Sequence, residues 1–276
     1  MDLATVVGLV LGVTGVVGGA LLEGIHLSFL WKLSAFMIVA VGSAGATMMS
    51  FPFDSVREFF PVLRKAFQRQ ELDPGAIVTQ LVGFATKARR EGLLGLEEEA
   101  ETVADPFLKK GLQLVVDGTD IEMIRNIMET DIAFLEGRHK VGESIFGTFG
   151  GFAPTLGIIG TVLGLVHALG ELGSSDAGNN VEAIVHVVAS IATAFIATFY
   201  GISLANIFFL PISFKLKQNN QQEVLLREVM LEGILAISAV DNPRIVEEKL
   251  KAFLPPKLKV NMEAQKEAAA GREAQQ

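Results

Sequence analysis

Four long stretches without Asp, Glu, Lys or Arg divide the chain. They cover residues 3–22, 33–53, 144–170 and 183–214, and the shortest has 20 residues. A helix that crosses the hydrocarbon core of a bilayer needs about 20 predominantly apolar residues. The pattern therefore predicts four membrane-spanning helices, which we call spans one to four.

The polar segments between and after the spans carry a helical period. Apolar residues recur at intervals of three and four between spans two and three, as an amphipathic helix requires: Ile121, Ile124, Ile127, Met128, Ile132 and Leu135. A similar set follows span four: Val224, Leu225, Met230, Leu231, Ile234 and Leu235. The last residues are rich in Ala, Glu, Gln and Lys, which predicts a disordered end.

These elements predict an all-α integral membrane protein. We divide it into a hairpin of spans one and two (1–53), a cytoplasmic helical domain (54–143), a long hairpin of spans three and four (144–214) and a cytoplasmic tail (215–276). Spans three and four would be about 40 and 48 Å long at 1.5 Å per residue, against a hydrocarbon core of about 30 Å. We expect them to tilt or to continue beyond the membrane.

Composition and charge support a membrane protein with its polar parts on one side. Half of the residues are hydrophobic, and the mean hydropathy is +0.44. Of the 23 basic residues, 12 lie in residues 54–143 and 10 in residues 215–276. The positive-inside rule then places both segments and both termini in the cytoplasm.

Several classes of function are excluded or disfavoured. The chain has no cysteine, which excludes disulfides and Cys-ligated zinc. A net charge of −8 argues against a nucleic-acid partner. There is no phosphate-loop sequence and no His-Glu-x-x-His motif among the 4 histidines, so we do not expect an enzyme or a bound cofactor.

The spans lack any carboxylate, although proton and cation relays in membranes use buried Asp, Glu or His. An ion path here would need a carboxylate from another chain. His167 and His186 lie near the ends of spans three and four that are predicted to face away from the cytoplasm. They are either interfacial histidines or members of a proton path, and the sequence leaves their role open.

Three further features of the spans have two interpretations each. Small residues four apart, such as Gly160 and Gly164, either pack helices within the assembly or line a partner helix. Pro154 and Pro211 either kink their helices or form a hinge at one depth. The hydroxyls of membrane threonines such as those of spans three and four either bond to the preceding turn or face a cation.

A charge-segregated run lies in the segment between spans two and three. A basic cluster with Arg89 and Arg90 precedes an acidic cluster with Glu97, Glu98, Glu99 and Glu101. Patches of opposite sign suit docking onto a complementary partner, because electrostatics contributes steering and register. A solvated helix face is the alternative.

Several segments, in order along most of the chain, resemble the MotA family, which includes the sodium-driven PomA branch and falls in the MotA/TolQ/ExbB proton channel superfamily. The segments are Met1-Asp-Leu-Ala-Thr, Ala88-Arg-Arg-Glu-Gly-Leu-Leu-Gly-Leu-Glu-Glu, Leu114-Val-Val-Asp-Gly, Glu136-Gly-Arg-His, Ala153-Pro-Thr-Leu-Gly-Ile-Ile-Gly-Thr-Val-Leu-Gly-Leu-Val, Thr198-Phe-Tyr-Gly and Asp241-Asn-Pro-Arg. The resemblance implies a flagellar stator subunit of the bacterial inner membrane that transports H⁺ or Na⁺ without a cofactor.

The resemblance also implies partners. It implies a pentamer of this chain, embedded in membrane lipid, around a dimer of a MotB-like single-span protein that supplies the ion-binding aspartate. The rotor protein FliG would contact the charged run. Two other functions remain as alternatives: an ExbB/TolQ-like energiser of outer-membrane transport, and a non-conducting membrane scaffold.

Matched position by position, the resemblance assigns roles to individual residues. Thr161 and Thr198 match polar positions on the ion path, and Pro154 and Pro211 match prolines that couple ion binding to the cytoplasmic part. The rotor-contacting charges match Arg89, Arg90, Glu97 and Glu98, with Glu99 and Glu101 in the same acidic run. Sodium-driven relatives tend to carry a carboxylate where this chain has Trp31-Lys32-Leu33, and the transported ion stays open.

Overall fold

The computed structural model describes residues 2–68, 73–174, 181–254 and 256. Within these ranges every regular element is helical, which confirms the predicted all-α fold. Two parts of the prediction lie outside the described residues: the disordered end after residue 256, and the middle of the loop between spans three and four at residues 175–180.

Four helices are long and apolar enough to cross a membrane. Span one is α1 (Leu3–Leu22), and the short α2 (Leu27–Leu30) follows it. Span two consists of α3 (Leu33–Phe36), a π-helical turn (Met37–Val41) and α4 (Gly42–Ser50). It ends at Ser50 because the next residue, Phe51, is extended before Pro52, as residues before proline prefer to be. Two short helices come next, α5 (Phe53–Arg57) and α6 (Phe59–Ala66).

Spans three and four are parts of longer helices. Span three lies in α10 (Ile121–Ser174), which also contains the predicted amphipathic helix. Span four begins in α11 (Val181–Ser203), passes through a π-helical segment (Leu204–Phe209) and continues as α12 (Leu210–Ser238). Of the two expected outcomes, tilting or continuation, the structure shows continuation, because both helices run on past the uncharged stretches.

The remaining helices lie between spans two and three and near the C-terminus. They are α7 (Pro74–Glu91), a 3-10 turn (Leu93–Leu96), α8 (Glu97–Thr102), α9 (Pro106–Val116) and α13 (Pro243–Ala252). Aspartates cap α7 and α9: Asp73 accepts from the amide of Gly75 at 3.0 Å, and Asp105 accepts from that of Phe107 at 2.9 Å. Each cap precedes a proline at the first helical position, where its missing N–H costs nothing.

The chain divides into two compact units. The membrane unit comprises Met1–Arg69 and His139–Gln218, and the second unit comprises Gln70–Arg138 and Asn219–Gln276. Large apolar side chains fill the core of the second unit, among them Leu81, Leu112, Ile124 and Ile234. The membrane unit has a smaller aromatic core, in which Phe149 and Phe209 stack at 3.7 Å between ring centroids and Phe59 stacks on Phe146 at 4.7 Å.

Candidate functional site

Spans three and four approach each other through glycines. A Cβ atom on Gly157 would lie 2.9 Å from the carbonyl oxygen of Ala197, and one on Gly160 would lie 2.5 Å from the Cβ of the same alanine. Gly164 meets Ala194 in the same way, at 2.6 Å. Side chains larger than hydrogen do not fit at these positions. The packing interpretation of the small-residue ridge is therefore confirmed for this helix pair.

This close approach brings Thr161 and Thr198 together. Their hydroxyls hydrogen-bond to each other. The Thr161 hydroxyl also lies 3.1 Å from the carbonyl oxygen of Ala194, and the Thr198 hydroxyl lies 3.3 Å from that of Gly157. Ala194 lies four residues before Thr198, and Gly157 lies four residues before Thr161. Each threonine hydroxyl therefore reaches the carbonyl oxygen four residues before the other threonine. Thr161 also reaches its own preceding turn at Gly157, at 3.1 Å.

The result is a cluster of four oxygen atoms between two helices, which we call the threonine cluster. It consists of the hydroxyls of Thr161 and Thr198 and the carbonyls of Gly157 and Ala194. Each hydroxyl has one proton to donate and two lone pairs that can accept, so the cluster has more acceptor sites than protons. Oxygen atoms of this kind replace the hydration shell of a cation in a membrane path.

A cavity of about 410 Å³ lies beside the threonine cluster, toward the ends of spans three and four that adjoin the loop between them. Gly160, Gly164, Ala194 and Ala197 line it, together with both span histidines. The structure thus brings His167 and His186, whose role the sequence leaves open, to one cavity.

Glu171 lines the same cavity and was not recognised from the sequence, which placed it in a loop. It lies within α10, with its Oε1 atom 3.6 Å from Nε2 of His167. Ser190 of span four donates a hydrogen bond to its Oε2 atom at 3.3 Å. The four-residue spacing from His167 is the signal that could have identified it.

Tyr200 is a second residue that sequence reasoning missed. Its hydroxyl donates to the carbonyl oxygen of Leu30 and accepts from the amide of Lys32 at 3.2 Å, and its ring meets Phe36 edge-on. Tyr200 thereby fixes the loop before span two to span four. It is the single tyrosine of the chain and lies in an otherwise apolar stretch. A lone polar hydroxyl in that stretch was the sequence feature that could have identified it.

The two prolines lie at different depths in the hairpin. Pro154 lies within α10 opposite Gly201, whose Cβ would be 3.1 Å from the Cα of Pro154. Pro211 follows the π-helical segment, and Ser213, two residues later, lies opposite Gly147. Pro211 therefore lies opposite a position near residue 149 of α10, about five residues from Pro154, or about 7.5 Å at 1.5 Å per residue. The two prolines therefore do not lie at one depth, and their role in conformational coupling stays a prediction.

Pro211 faces span one. A cavity of about 420 Å³ is lined by Pro211, by its neighbours on span four and by the first turns of α1. The lining residues are Ala4, Thr5, Gly8, Leu9, Gly12, Phe67, Asn206, Ile207, Phe208, Pro211, Ile212 and Lys215. The two prolines thus have different neighbours, which are span four for Pro154 and span one for Pro211.

The charged run lies in the second unit, where α7 ends and α8 begins. Arg89 and Arg90 are exposed at the end of α7, and Gly92, with φ of +81°, ends that helix. The exposed Glu97 and Glu98 begin α8. Between the two clusters, Leu94 is 72% exposed.

Within this run, Glu99 differs from the other acidic residues. Its Oε1 atom lies 3.0 Å from Nζ of Lys87, and the resulting interaction raises the pKa of Lys87. Glu99 is half-buried, whereas Glu97, Glu98 and Glu101 are exposed. Glu99 therefore ties α8 to α7, and the exposed acids carry the negative surface.

Together, the four membrane-capable helices, the threonine cluster and the exposed charged run define an α-helical multi-pass membrane protein. The description "MotA/TolQ/ExbB proton channel family" belongs to the family model that matches residues 99–229. Motility protein A of Borreliella burgdorferi is 37% identical over 93% of this chain and 95% of its own length.

Solved structures give the same relationship. The structure of C. jejuni MotAB has a TM-score of 0.83 at 36% identity and covers 93% of this chain and 97% of that one. The flagellar MotAB stator complex from Bacillus subtilis gives a TM-score of 0.82 at 35% identity, covering 93% of this chain and 98% of that one. The chain belongs to the MotA family. It is a flagellar stator subunit of the inner membrane, and not an enzyme.

Proposed function

We propose that this chain conducts H⁺ or Na⁺ together with a MotB-like single-span partner, and that passage of the ion produces torque on the rotor. The partner would supply the ion-binding aspartate, since the four apolar stretches contain no carboxylate of their own. The MotAB complexes of C. jejuni and B. subtilis, in which the related chain is assembled with MotB, support this pairing. No resident cofactor takes part in the proposed function.

The threonine cluster is the observation that carries the proposal. It presents polar oxygens between spans three and four, beside a cavity that reaches toward the loop between them. An ion moving between that cavity and a partner aspartate would exchange water for these oxygens. Thr161 and Thr198 are accordingly proposed as ion-path residues, with His167, His186 and Glu171 at the entrance.

The other predicted residues act on the coupling of ion passage to the rotor. Pro154 and Pro211 would change the shape of spans three and four when the ion binds, each against a different neighbouring helix. FliG would contact the exposed charges of the run, which are Arg89, Arg90, Glu97, Glu98 and Glu101. Glu99 would hold α8 in place through its ion pair with Lys87. The assembly is proposed to be a pentamer. Both termini are proposed to lie in the cytoplasm, as the distribution of basic residues favours.

The experiment that tests the ion path compares two threonines in a motile strain that depends on this stator. Thr198→Ala removes a hydroxyl from the threonine cluster, and we expect it to lower stall torque several-fold at unchanged membrane level. Thr155→Ala is the matched control, because the Thr155 hydroxyl is exposed and, among the described residues, bonds within its own helix to the carbonyl oxygen of Phe152 at 2.7 Å. Normal torque in the Thr198 variant would contradict the proposed path.

The transported ion is identified by swimming speed against external sodium at fixed pH, with a protonophore as the second arm. Speed that depends on sodium and resists the protonophore identifies Na⁺. Speed that ignores sodium and collapses with the protonophore identifies H⁺. Thr198→Ala should lower speed under whichever gradient drives the native stator.

A further inference from the structure

Polar contacts from three helices converge on Asp2, at the start of span one. Its amide donates to the carbonyl oxygen of Phe67 at the end of α6, at 2.9 Å. Its carboxylate caps α1 by accepting from the amide of Ala4 at 3.2 Å and from the Thr5 hydroxyl at 2.8 Å. The same carboxylate lies 2.5 Å from Nζ of Lys215 in α12. One residue thus joins spans one and four to the segment that follows span two.

Among the described residues, span one makes few close contacts with the rest of the chain. None of the residues of α1 is buried. Its close approach to span four is at Gly12, where a Cβ would lie 3.3 Å from Cγ2 of Ile207. The contact at Gly12 and the ion pair at Asp2 are thus two places at which span one meets span four.

The two contacts, at Ile207 and Lys215 of span four, lie on either side of Pro211. Pro211 has no N–H, so the carbonyl of Ile207, four residues earlier, loses its α-helical partner. The π-helical segment Leu204–Phe209 ends at the same point. Lys215 lies one turn after Pro211 and therefore on the same face, and both residues line the cavity that faces span one. Span one thus braces span four on both sides of its irregular turn.

The ion pair is suited to a permanent brace. Lys215, followed by Thr5, holds the pKa of Asp2 below its ordinary value of 3.8. The carboxylate is therefore ionised throughout the physiological range. The side chains of Asp2 and Lys215 are 18% and 33% exposed, so bulk water screens them only in part.

We propose that Asp2 and Lys215 form a latch that holds span one against the Pro211 turn of span four and positions that turn during the ion-driven cycle. Both are positioning residues, since neither lies in the threonine cluster. The inference rests on the proposed function, in which Pro211 couples ion binding to movement.

The latch can be measured directly, without reference to torque. The chain has no cysteine, so cysteines introduced at the exposed Leu11 and Ile202 accept spin labels specifically. Labelled copies are diluted with unlabelled copies in the full complex, so that the distances measured lie within one chain. We expect a narrow distance distribution in the native background.

Four variants then test the ion pair. Asp2→Asn removes the charge but keeps a good N-cap residue, and Lys215→Gln removes the opposite charge. The exchanged pair, Asp2→Lys with Lys215→Asp, restores opposite charges. Lys217→Gln is the matched control, because Lys217 is exposed and forms no ion pair with the described residues.

We expect each single change at Asp2 or Lys215 to broaden the distance distribution and to lower stall torque by at least about two-fold at equal membrane level. The double change to Asn and Gln should be no worse than the stronger single change, since both remove one interaction. The exchanged pair should recover part of the lost torque, because Lys at position 2 restores the ion pair but cannot accept the capping hydrogen bonds of α1. The control should match the native chain.

Two results would overturn the latch. An unchanged distance distribution in Asp2→Asn and Lys215→Gln would show that the pair does not hold span one. A broadened distribution with native torque would show that holding span one has no role in the cycle. If instead the native chain and its partner give no ion-driven torque at all, the proposed function fails, while the spin-label distances still decide whether the latch exists.

Discussion

The membrane unit and the second unit bury different residues. The second unit encloses Leu, Ile, Val, Met and Phe side chains in one core, in which Leu81, Leu112 and Ile234 are almost fully inaccessible. In the membrane unit, large apolar side chains such as Leu22 and Met49 are more than nine-tenths exposed, and at Gly157, Gly160 and Gly164 spans three and four meet through glycine and alanine. Within lipid, large apolar groups gain nothing by leaving their surroundings, so helices associate through small residues and polar bonds.

The polar interactions of the two units differ in the same way. In the second unit, charged pairs connect helices at the surface, such as Lys110 with Asp131 at 2.6 Å and Lys249 with Glu232 at 2.5 Å. Within the spans of the membrane unit, the threonine cluster uses hydroxyls and backbone carbonyls instead, and the ion pair of Asp2 and Lys215 lies outside the uncharged stretches. Charges are costly inside a bilayer, whereas a hydroxyl is satisfied by a nearby carbonyl.

The largest effect is expected from added volume in the membrane unit. Gly201→Leu would drive a side chain into the backbone of Ala153 and Pro154, because even a Cβ lies 3.1 Å from the Pro154 Cα. We expect loss of the folded hairpin, measured as loss of membrane-inserted complex and of motility. Gly151→Leu is the control, since Gly151 is exposed and its Cβ would meet nothing within 4 Å. Equal damage from both variants would refute packing through small residues.

The second-largest effect is expected from changing exposed charges of the second unit while its buried core stays the same. Joint reversal, Arg90→Glu with Glu98→Arg, alters two exposed side chains without touching the buried core. We expect motility to be abolished while the complex inserts and unfolds as the native one does. This outcome follows if the charged run docks on the rotor, because like charges would then face each other across the interface.

The control for this reversal exchanges a paired set elsewhere on the same unit. Lys110→Asp with Asp131→Lys keeps opposite charges together outside the charged run. It should leave motility near the native level. Retained motility in the Arg90 and Glu98 variant would leave the charged run as a solvated face.

The sequence was sufficient for the spans because their signal is local. Uncharged stretches of bilayer length coincide with the helices, and the apolar period around Ile124 and Met128 correctly indicates helix. For the glycines four apart, the sequence offered packing within the assembly as one of two interpretations, and the structure shows that packing between spans three and four. These features depend on residues near one another along the chain.

Features that depend on how two helices align could not be predicted. The sequence allowed a threonine to bond to its own preceding turn, but the exchange of carbonyls between Thr161 and Thr198 requires the exact crossing point at Gly157. The same offset between antiparallel helices separates Pro154 from Pro211. Asp2 received no role, because its partner Lys215 is distant in sequence.

The smallest effect is expected at the ion pair inside the charged run, between Lys87 and Glu99. Glu99 raises the pKa of Lys87 above its ordinary value of 10.5, so the bound proton favours the folded state. The stabilisation is therefore complete below that value and is lost as pH rises through the higher pKa of the folded state. Glu99→Gln should lower the thermal unfolding temperature of the detergent-solubilised complex slightly near neutral pH, with motility within about two-fold of native.

Salt and pH distinguish this supporting role from direct contact with the rotor. Both side chains are partly exposed, so high salt should reduce the difference in unfolding temperature between the native chain and Glu99→Gln. The difference should also shrink above about pH 10.5, where Lys87 loses its charge in the unfolded chain and then in the folded one. Glu98→Gln is the matched control, since the exposed Glu98 should affect motility more than stability. If Glu99→Gln abolished motility at unchanged stability, Glu99 would belong with the exposed rotor-contacting acids after all.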